Sequence, residues 1–198
     1  MMATSAGSTL YAKAYRGKRK ASAVEWHWLH MLPLLGIASA QPVAWLADRR
    51  AQLIVTAAVP GRSLDAWAVD AAHEGWLDEV FAYACQVVAP LARQLHGNGL
   101  IHRDFNCAHL FVVDPREMTR PAVIDVERVF RPRWRRRRWH VKDLASLLAS
   151  SPVAVPTRVQ LRFLKSYAPD LSGAQLRRLA GAIRQKAQRI GRHQPRFG

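Results

Sequence analysis

The segment that most restricts the fold runs over residues 77–125. Val80, Phe81, Ala84, Val87, Val88, Leu91 and Leu95 recur at helical spacing over residues 77–96, and Gly97-Asn98-Gly99 closes that pattern. Leu100-Ile101-His102-Arg103-Asp104 follows at once, and Val123-Ile124-Asp125 brings a second aspartate 21 residues after Asp104. Between them, residues 110–113 and 122–126 read as two short apolar segments, each with an aspartate at or near its end. A long helix, a polar loop and a carboxylate-bearing strand pair therefore follow one another in chain order.

The chain ahead of this segment is built differently. Residues 10–15 alternate as a short strand with Tyr11, Lys13 and Tyr15 on one face. Val24, Trp28, Met31, Leu32 and Leu35 then recur at helical spacing, predicting an amphipathic helix that carries Glu25 in its first turns and stops at Gly36. Residues 42–46 and 52–58 read as two strands around Ala47-Asp48-Arg49-Arg50, a hairpin-like pattern. Pro60-Gly61-Arg62 breaks the chain, Ser63 with Asp65 can start a helix, and residues 141–148, 157–167 and 172–192 are helical in pattern. The expected class is α+β with two lobes: a small β-rich lobe over residues 1–58 (strand, helix, two strands) and a mainly helical lobe over residues 59–198.

Composition narrows the function. A chain of 198 residues that is 49% apolar buries an ordinary core, which excludes a disordered protein. Cys85 and Cys107 belong to no disulfide framework and no zinc motif, which points to a reducing compartment. The formal charge of +16 calls for a polyanionic partner: nucleic acid, an acidic membrane surface or a phosphorylated substrate. Five basic residues fall in residues 1–20, eight in residues 128–142 and seven after Ser172, all unopposed by acids. The last cluster reads as the solvated side of a helix, because Leu176, Leu179, Ile183 and Ile190 recur at roughly helical spacing. The run Trp134-Arg135-Arg136-Arg137-Arg138-Trp139 sets phosphate-matching guanidinium forks beside interfacial aromatics, and fits a phosphate-rich substrate or a lipid headgroup surface.

Lys18-Arg19-Lys20 followed by apolar residues and Ala38-Ser39-Ala40 superficially resembles a secretory signal, but Glu25, His27, His30 and Pro33 interrupt its apolar core. No stretch approaches the roughly 18 apolar residues of a transmembrane helix. The expected location is cytoplasmic, or peripheral on a membrane.

The His102-Arg103-Asp104 triplet with Ile124-Asp125 behind it is similar to the arrangement by which protein kinases set a catalytic-loop aspartate and a metal aspartate on either side of a short hairpin. One carboxylate orients or deprotonates the attacking hydroxyl, and the other holds Mg²⁺ against the β- and γ-phosphates. Lys13 on a strand and Glu25 on the next helix match the ion pair that grips the α- and β-phosphates.

Taken together, Glu25-Trp26 with Leu29, Leu32, Gly36-Ile37 and Pro42, Ile54-Val55-Thr56, Leu95-His96 through Asp104 and His109, Ile124-Asp125 with Arg128, and Lys142-Asp143-Leu144-Ala145 resemble the lipopolysaccharide kinase family. These bacterial enzymes phosphorylate heptose or Kdo sugars of the lipopolysaccharide inner core and share the protein-kinase fold. The resemblance implies a two-lobed kinase-like fold with ATP and Mg²⁺ as cofactors. Asp104 with Arg103 is then catalytic, Asp125 holds metal, Lys13 and Glu25 grip nucleotide, and the backbone from Thr56 to Ala58 is the hinge that reads adenine. Asp143 is either the buried aspartate that holds the catalytic loop and Arg103, or a plain helix N-terminal acid. The implied partner is an anionic glycolipid or lipopolysaccharide core acceptor, with Arg135, Arg136, Arg137 and Arg138 facing the inner membrane.

Three departures qualify the resemblance to ordinary protein kinases. His109 stands where they carry a metal-binding Asn, and Asn106 offers the nearer side-chain oxygen. Asp125-Val126-Glu127 lacks the Gly that follows the metal aspartate in D-F-G, so a flipping activation segment is not implied. Only 12 residues precede Lys13, short for a Gly-rich loop and two strands, and leave Gly7-Ser8-Thr9 as a vestige, while Tyr11 stands where kinases carry a small residue under the adenine. Three readings follow: a sugar kinase; a pseudokinase or nucleotide-binding module without turnover, favoured by the short start and His109; and a basic nucleic-acid-binding protein. The last has no recognition motif beside the charge, and no specific nucleic acid is expected.

Overall fold

The computed structural model describes residues 2–5, 8–16, 19–48 and 51–193. Gly7 of the vestigial loop, Lys18, and Arg49 and Arg50 of the hairpin turn lie outside the described residues. Strand β2 (Ser8–Arg16) pairs antiparallel with β4 (Ala51–Ala57), and β4 pairs antiparallel with β3 (Pro42–Ala47). One further strand, β1 (Met2–Ser5), pairs antiparallel with β2, so the sheet has the order β1-β2-β4-β3. The sequence pattern did not assign β1, whose Met-Ala-Thr-Ser residues carry no clear alternation.

Helix α1 (Arg19–Leu34) packs on this sheet. Its inner stripe is Ser22, Glu25, Trp28, Leu29 and Leu32, all buried, which follows the i, i+3, i+7 period of one helix face. The expected stripe of Val24, Met31 and Leu35 is only half-buried, so the helix is rotated toward the polar pair Ser22 and Glu25. Lys13 lies directly opposite Ile54 in the β2–β4 register, and Ile54 is buried. Paired residues share a sheet face, so Lys13 leaves β2 on its inner side, within reach of Glu25.

Beyond Pro60, α2 (Leu64–Glu74) precedes a helical stretch made of α3 (Leu77–Tyr83), a wide π turn over Ala84–Val88, and α4 (Ala89–Gly97). The apolar period predicts one unbroken helix here. Pro90 supplies the reason for the break: it has no N–H to donate into the preceding turn, and a widened turn accommodates its ring. Strands β6 (Leu110–Val112) and β7 (Ala122–Val123) form the expected antiparallel pair, and β5 (Arg62–Ser63) adds to its edge. Helix α5 (Arg136–Ala149) starts five residues ahead of its apolar pattern, so Arg136, Arg137 and Arg138 form its first turn. A solvated turn leaves no apolar trace to read.

Helices α6 (Thr157–Tyr167) and α7 (Gly173–His193) close the larger part. Helix α7 buries Leu176, Leu179, Ala180, Ile183 and Ala187 and leaves Arg177, Arg178, Arg189 and Arg192 exposed, the amphipathic division expected of it. Among the described residues no helix is long and apolar enough to cross a membrane.

One hydrophobic core runs through both parts. The amide of Val123 donates to Ala38 O at 2.8 Å, and Gln94 Nε2 donates to Leu35 O at 2.7 Å, which ties the segment after α1 to β7 and α4. Gly61, at the crossing between the parts, has φ +89°, and a Cβ there would lie 2.1 Å from the backbone oxygen of Val112. Gly61→Ala is therefore expected to lower stability by about 3 kcal/mol through clash and left-handed strain. Gly97→Ala, in a helical turn with open space around it, should be neutral or slightly stabilising. Urea denaturation of the two variants beside the parent chain measures both effects.

Candidate active site

The candidate catalytic loop begins where α4 stops. Gly99, at φ +73°, takes the left-handed position, its N–H bonding to His96 O at 3.0 Å and that of Leu100 to Leu95 O at 3.1 Å. This reverses the chain into Ile101, whose N–H and carbonyl both pair with Phe130. The next two amides are taken by Asp143 of α5: His102 N–H donates to Oδ2 at 2.8 Å and Arg103 N–H to Oδ1 at 2.9 Å. Asp143 is fully buried and sits well inside α5, so it clamps the loop and is not a helix N-terminal acid. Lys142, its neighbour, donates to the carbonyl of Arg103. Both bonds hold Arg103 at φ +71°, a conformation a non-glycine residue keeps only under such constraint.

His102 links this loop to the second aspartate. Its Nε2–H donates to Ile124 O at 3.1 Å, because a carbonyl only accepts. Burial drives the ring pKa down, with the Asp143 charge opposing that, so the fully buried imidazole is neutral. The residue after Ile124 is Asp125, itself at φ +54°. The His102 side chain thus joins the two aspartate-bearing segments.

Lys13 reaches into this junction. Its Nζ lies 2.5 Å from Asp125 Oδ1, 3.1 Å from Glu127 Oε2 and 3.2 Å from Glu25 Oε2. Burial alone would lower the Lys13 pKa, but the hydrogen bond to Asp125 and the surrounding carboxylates outweigh it and raise the value. Burial likewise opposes the charge on Asp125, yet the bond from Lys13 holds its carboxyl below the usual range. For Glu25, burial dominates and the pKa rises despite Lys13. Asp104 has its own cation, Arg128, whose Nη1 lies 2.7 Å from Oδ2. Arg103 instead stacks its guanidinium over Phe130 at 5.9 Å and Trp139 at 5.8 Å.

Glu127 and Arg128 were not read from the sequence as site residues. They are adjacent in a single 3₁₀ turn, Val126–Arg128, in which successive side chains diverge by about 120°. One reaches Lys13 and the other Asp104. The acid–base pair directly behind Asp125 was the available signal, but only the left-handed Asp125 backbone shows where each side chain goes.

A carboxylate and an imidazole face one another across this junction. His109 donates from Nδ1 to Asp104 O at 2.8 Å, which turns Nε2 toward Asp125 Oδ2 at 3.8 Å. Nε2 and Oδ2 border one space, where a cation would be held between them. Asn106 lies at the start of the same short turn, its carbonyl accepting from His109 N–H at 3.0 Å. Among the described residues no three His, Cys, Asp or Glu side chains gather as a metal site. A Mg²⁺ held here would complete its shell with phosphate oxygens and water.

At the other edge, Thr56 pairs with Tyr11 in the sheet, and Ala58 N–H donates to Thr9 O at 2.8 Å. The Ala58 amide is therefore committed within the sheet. Tyr11 is half-exposed, two residues from Lys13 on the same strand face.

The sequence profile of the lipopolysaccharide kinase (Kdo/WaaP) family matches residues 11–182. No curated protein sequence matches the chain. Among solved structures, the chain is similar to WaaP in complex with acyl carrier protein, with a TM-score of 0.77 and 24% identity over 96% of this chain and 83% of that one. It is also similar to an aminoglycoside-3'-phosphotransferase of type VIII, with a TM-score of 0.64 and 22% identity over 92% of this chain and 87% of that one. Both likenesses are of fold, a kinase-like arrangement of a small sheet part and a helical C-terminal part. The family match spans every residue that forms the Lys13, Asp104, Asp125 and Asp143 contacts, and the chain belongs to the lipopolysaccharide kinase (Kdo/WaaP) family of kinases.

Proposed function

We propose that this kinase transfers the γ-phosphoryl group of ATP to a sugar hydroxyl, of heptose or Kdo, on a lipopolysaccharide inner core or a similar anionic glycolipid. The observation that carries the reading is the bonding of Lys13 to both Glu25 and Asp125, three residues that a kinase-type site brings together. Asp104 accepts the proton of the attacking hydroxyl as the new O–P bond forms. Arg128 keeps that carboxylate aimed and brings positive charge beside the transferred group. Lys13, positioned by Glu25, grips the α- and β-phosphates. Mg²⁺ would be held by Asp125 with His109 and Asn106, and would neutralise charge on the phosphates. Arg103, stacked on Phe130 and Trp139, supports the loop and does not touch the reacting atoms.

For the adenine, the hinge role falls one residue later than the Thr56–Ala58 segment. Val59 N–H has no acceptor among the described residues, whereas Ala58 N–H is taken by Thr9. The acceptor is approached along Trp134 and Arg135 to Arg138. Trp134 is 80% exposed, and a bare indole beside four guanidiniums suits the headgroup layer of the inner membrane.

The reading without turnover draws on a different observation: Lys13 and Asp104 are both already neutralised by groups of the chain itself. Nucleotide must displace Asp125 or Glu127 from Lys13 before it binds productively.

Incubation with γ-labelled ATP, Mg²⁺ and core lipopolysaccharide should label the acceptor, and Asp104→Ala should reduce transfer by about 10³-fold. Equal transfer by both proteins would overturn the assignment. In thermal melts, Mg-ATP at 100 times its Kd should add about 2.7 kcal/mol of stability, and Lys13→Met should abolish that gain. A shift without transfer selects the module without turnover; no shift at all rejects both. Asp143→Asn replaces one acceptor oxygen by a donor facing a backbone N–H, and is expected to cost about 3 kcal/mol. Urea denaturation would record that loss, and amide exchange at His102 and Arg103 would show the loop opening.

A further inference from the structure

Helices α5, α6 and α7 leave between them a cleft of about 460 Å³. Its polar lining is Arg137 and His140 from α5, Tyr167 from α6, and Gln175 and Arg178 from α7. No carboxylate lines it, and among the described residues neither Arg137 nor Arg178 forms a salt bridge. Two unpaired guanidiniums thus converge from different helices on one concave space. That arrangement repels cations and has no internal anion to neutralise it.

The floor of the cleft is organised. His140 stacks flat on His96, with centroids 4.3 Å apart and planes 6° from parallel. His96 is buried and held at both nitrogens, Nδ1 by Tyr167 Oη at 2.7 Å and Nε2 by Asp143 Oδ2 at 3.4 Å. Burial, and then the neighbouring His96, push the His140 pKa down to about 4, so the ring enters the cleft neutral, with one N–H to donate. Guanidinium forks match the tetrahedral oxygens of phosphate, and a neutral imidazole adds a directional donor.

We propose that this cleft is a second phosphate-binding site, separate from the nucleotide site, that takes a phosphate mono- or diester through Arg137, Arg178 and His140. The proposal does not rest on the sugar-kinase reading, since no residue of the nucleotide site lines the cleft. Its occupant lies one ring stack and one contact from Asp143, the residue that holds the catalytic loop. The same chemistry is offered by a soluble phosphate ester and by the headgroup of an anionic phospholipid.

The test uses the full chain without nucleotide, isotopically labelled at histidine, and follows the His140 and His96 ring resonances. Sodium phosphate, with sodium chloride at matched ionic strength as the blank, should produce a saturable shift at His140. Arg137→Gln with Arg178→Gln should weaken that binding by about 100-fold, roughly tenfold for each guanidinium bond lost. Arg158→Gln with Arg192→Gln, which removes the same charge from exposed positions outside the cleft, should change it by less than about twofold. Vesicles of phosphatidylglycerol, compared with phosphatidylcholine, form the second arm. A His140 response to phosphate identifies the soluble group as sufficient, and a response to phosphatidylglycerol vesicles alone identifies a lipid headgroup; both support the site. No saturable response in the parent chain in either arm, or equal weakening in the two double variants, would overturn it.

Discussion

The site depends on one buried carboxylate. Asp143 is withdrawn from water, and an isolated charge in that position would cost several kcal/mol. It is tolerable because its two oxygens accept the amides of His102 and Arg103, with His96 against one of them. The dependence is mutual. Those amides belong to a loop that cannot pair with itself, because Arg103 is left-handed and the strand pair begins only at Leu110. A buried charge and two orphan donors satisfy each other, and the exchange sets where Asp104 points.

From that anchor the charges of the site alternate. Arg128 sits on Asp104, and Lys13 sits among Asp125, Glu127 and Glu25. No cation in this sequence of contacts touches another. Positive charge elsewhere behaves differently, since among the described residues Arg136, Arg137 and Arg138 of α5 and Arg177, Arg178 and Arg192 of α7 are exposed and form no salt bridge. The unopposed charge of these two helices stands apart from the cluster around Lys13 and Asp104, where each cation faces a carboxylate.

The site was more legible in the sequence than the elements that carry it. Lys13 and Glu25 could be matched because a strand lysine is followed by a helix glutamate ahead of His102-Arg103-Asp104, and Asp104 and Asp125 because they bracket a strand pair. What escaped detection lacks a period. Strand β1 is only four residues long, the first turn of α5 is all arginine, and the π turn preceding Pro90 lies inside an apolar pattern that continues across it. Glu127 and Arg128 escaped for a subtler reason. Their directions follow from the backbone of Asp125, and a left-handed aspartate leaves no mark in composition or spacing.

That same backbone accounts for the departures from protein kinases. In D-F-G the segment is free to rotate about the glycine that stands two residues after the aspartate. Here Glu127 occupies that position, Val126 before it is fully buried, Val129 behind it is nearly so, and Phe130 is bonded to Ile101 through both its amide and its carbonyl. Rotating Asp125 outward would pull two apolar side chains from the core, about 1.5–3 kcal/mol each, and would break the Phe130 pair as well. His109 adds to the restraint from the other side, since its ring bonds the Asp104 carbonyl while its carbonyl accepts the amide of Ile124. Residue 109 thus ties the two aspartate segments together, through its ring on one side and its main-chain carbonyl on the other. The site is therefore held in one arrangement by its own packing, and under the proposed function the set of carboxylates around Lys13 is the part that nucleotide would change.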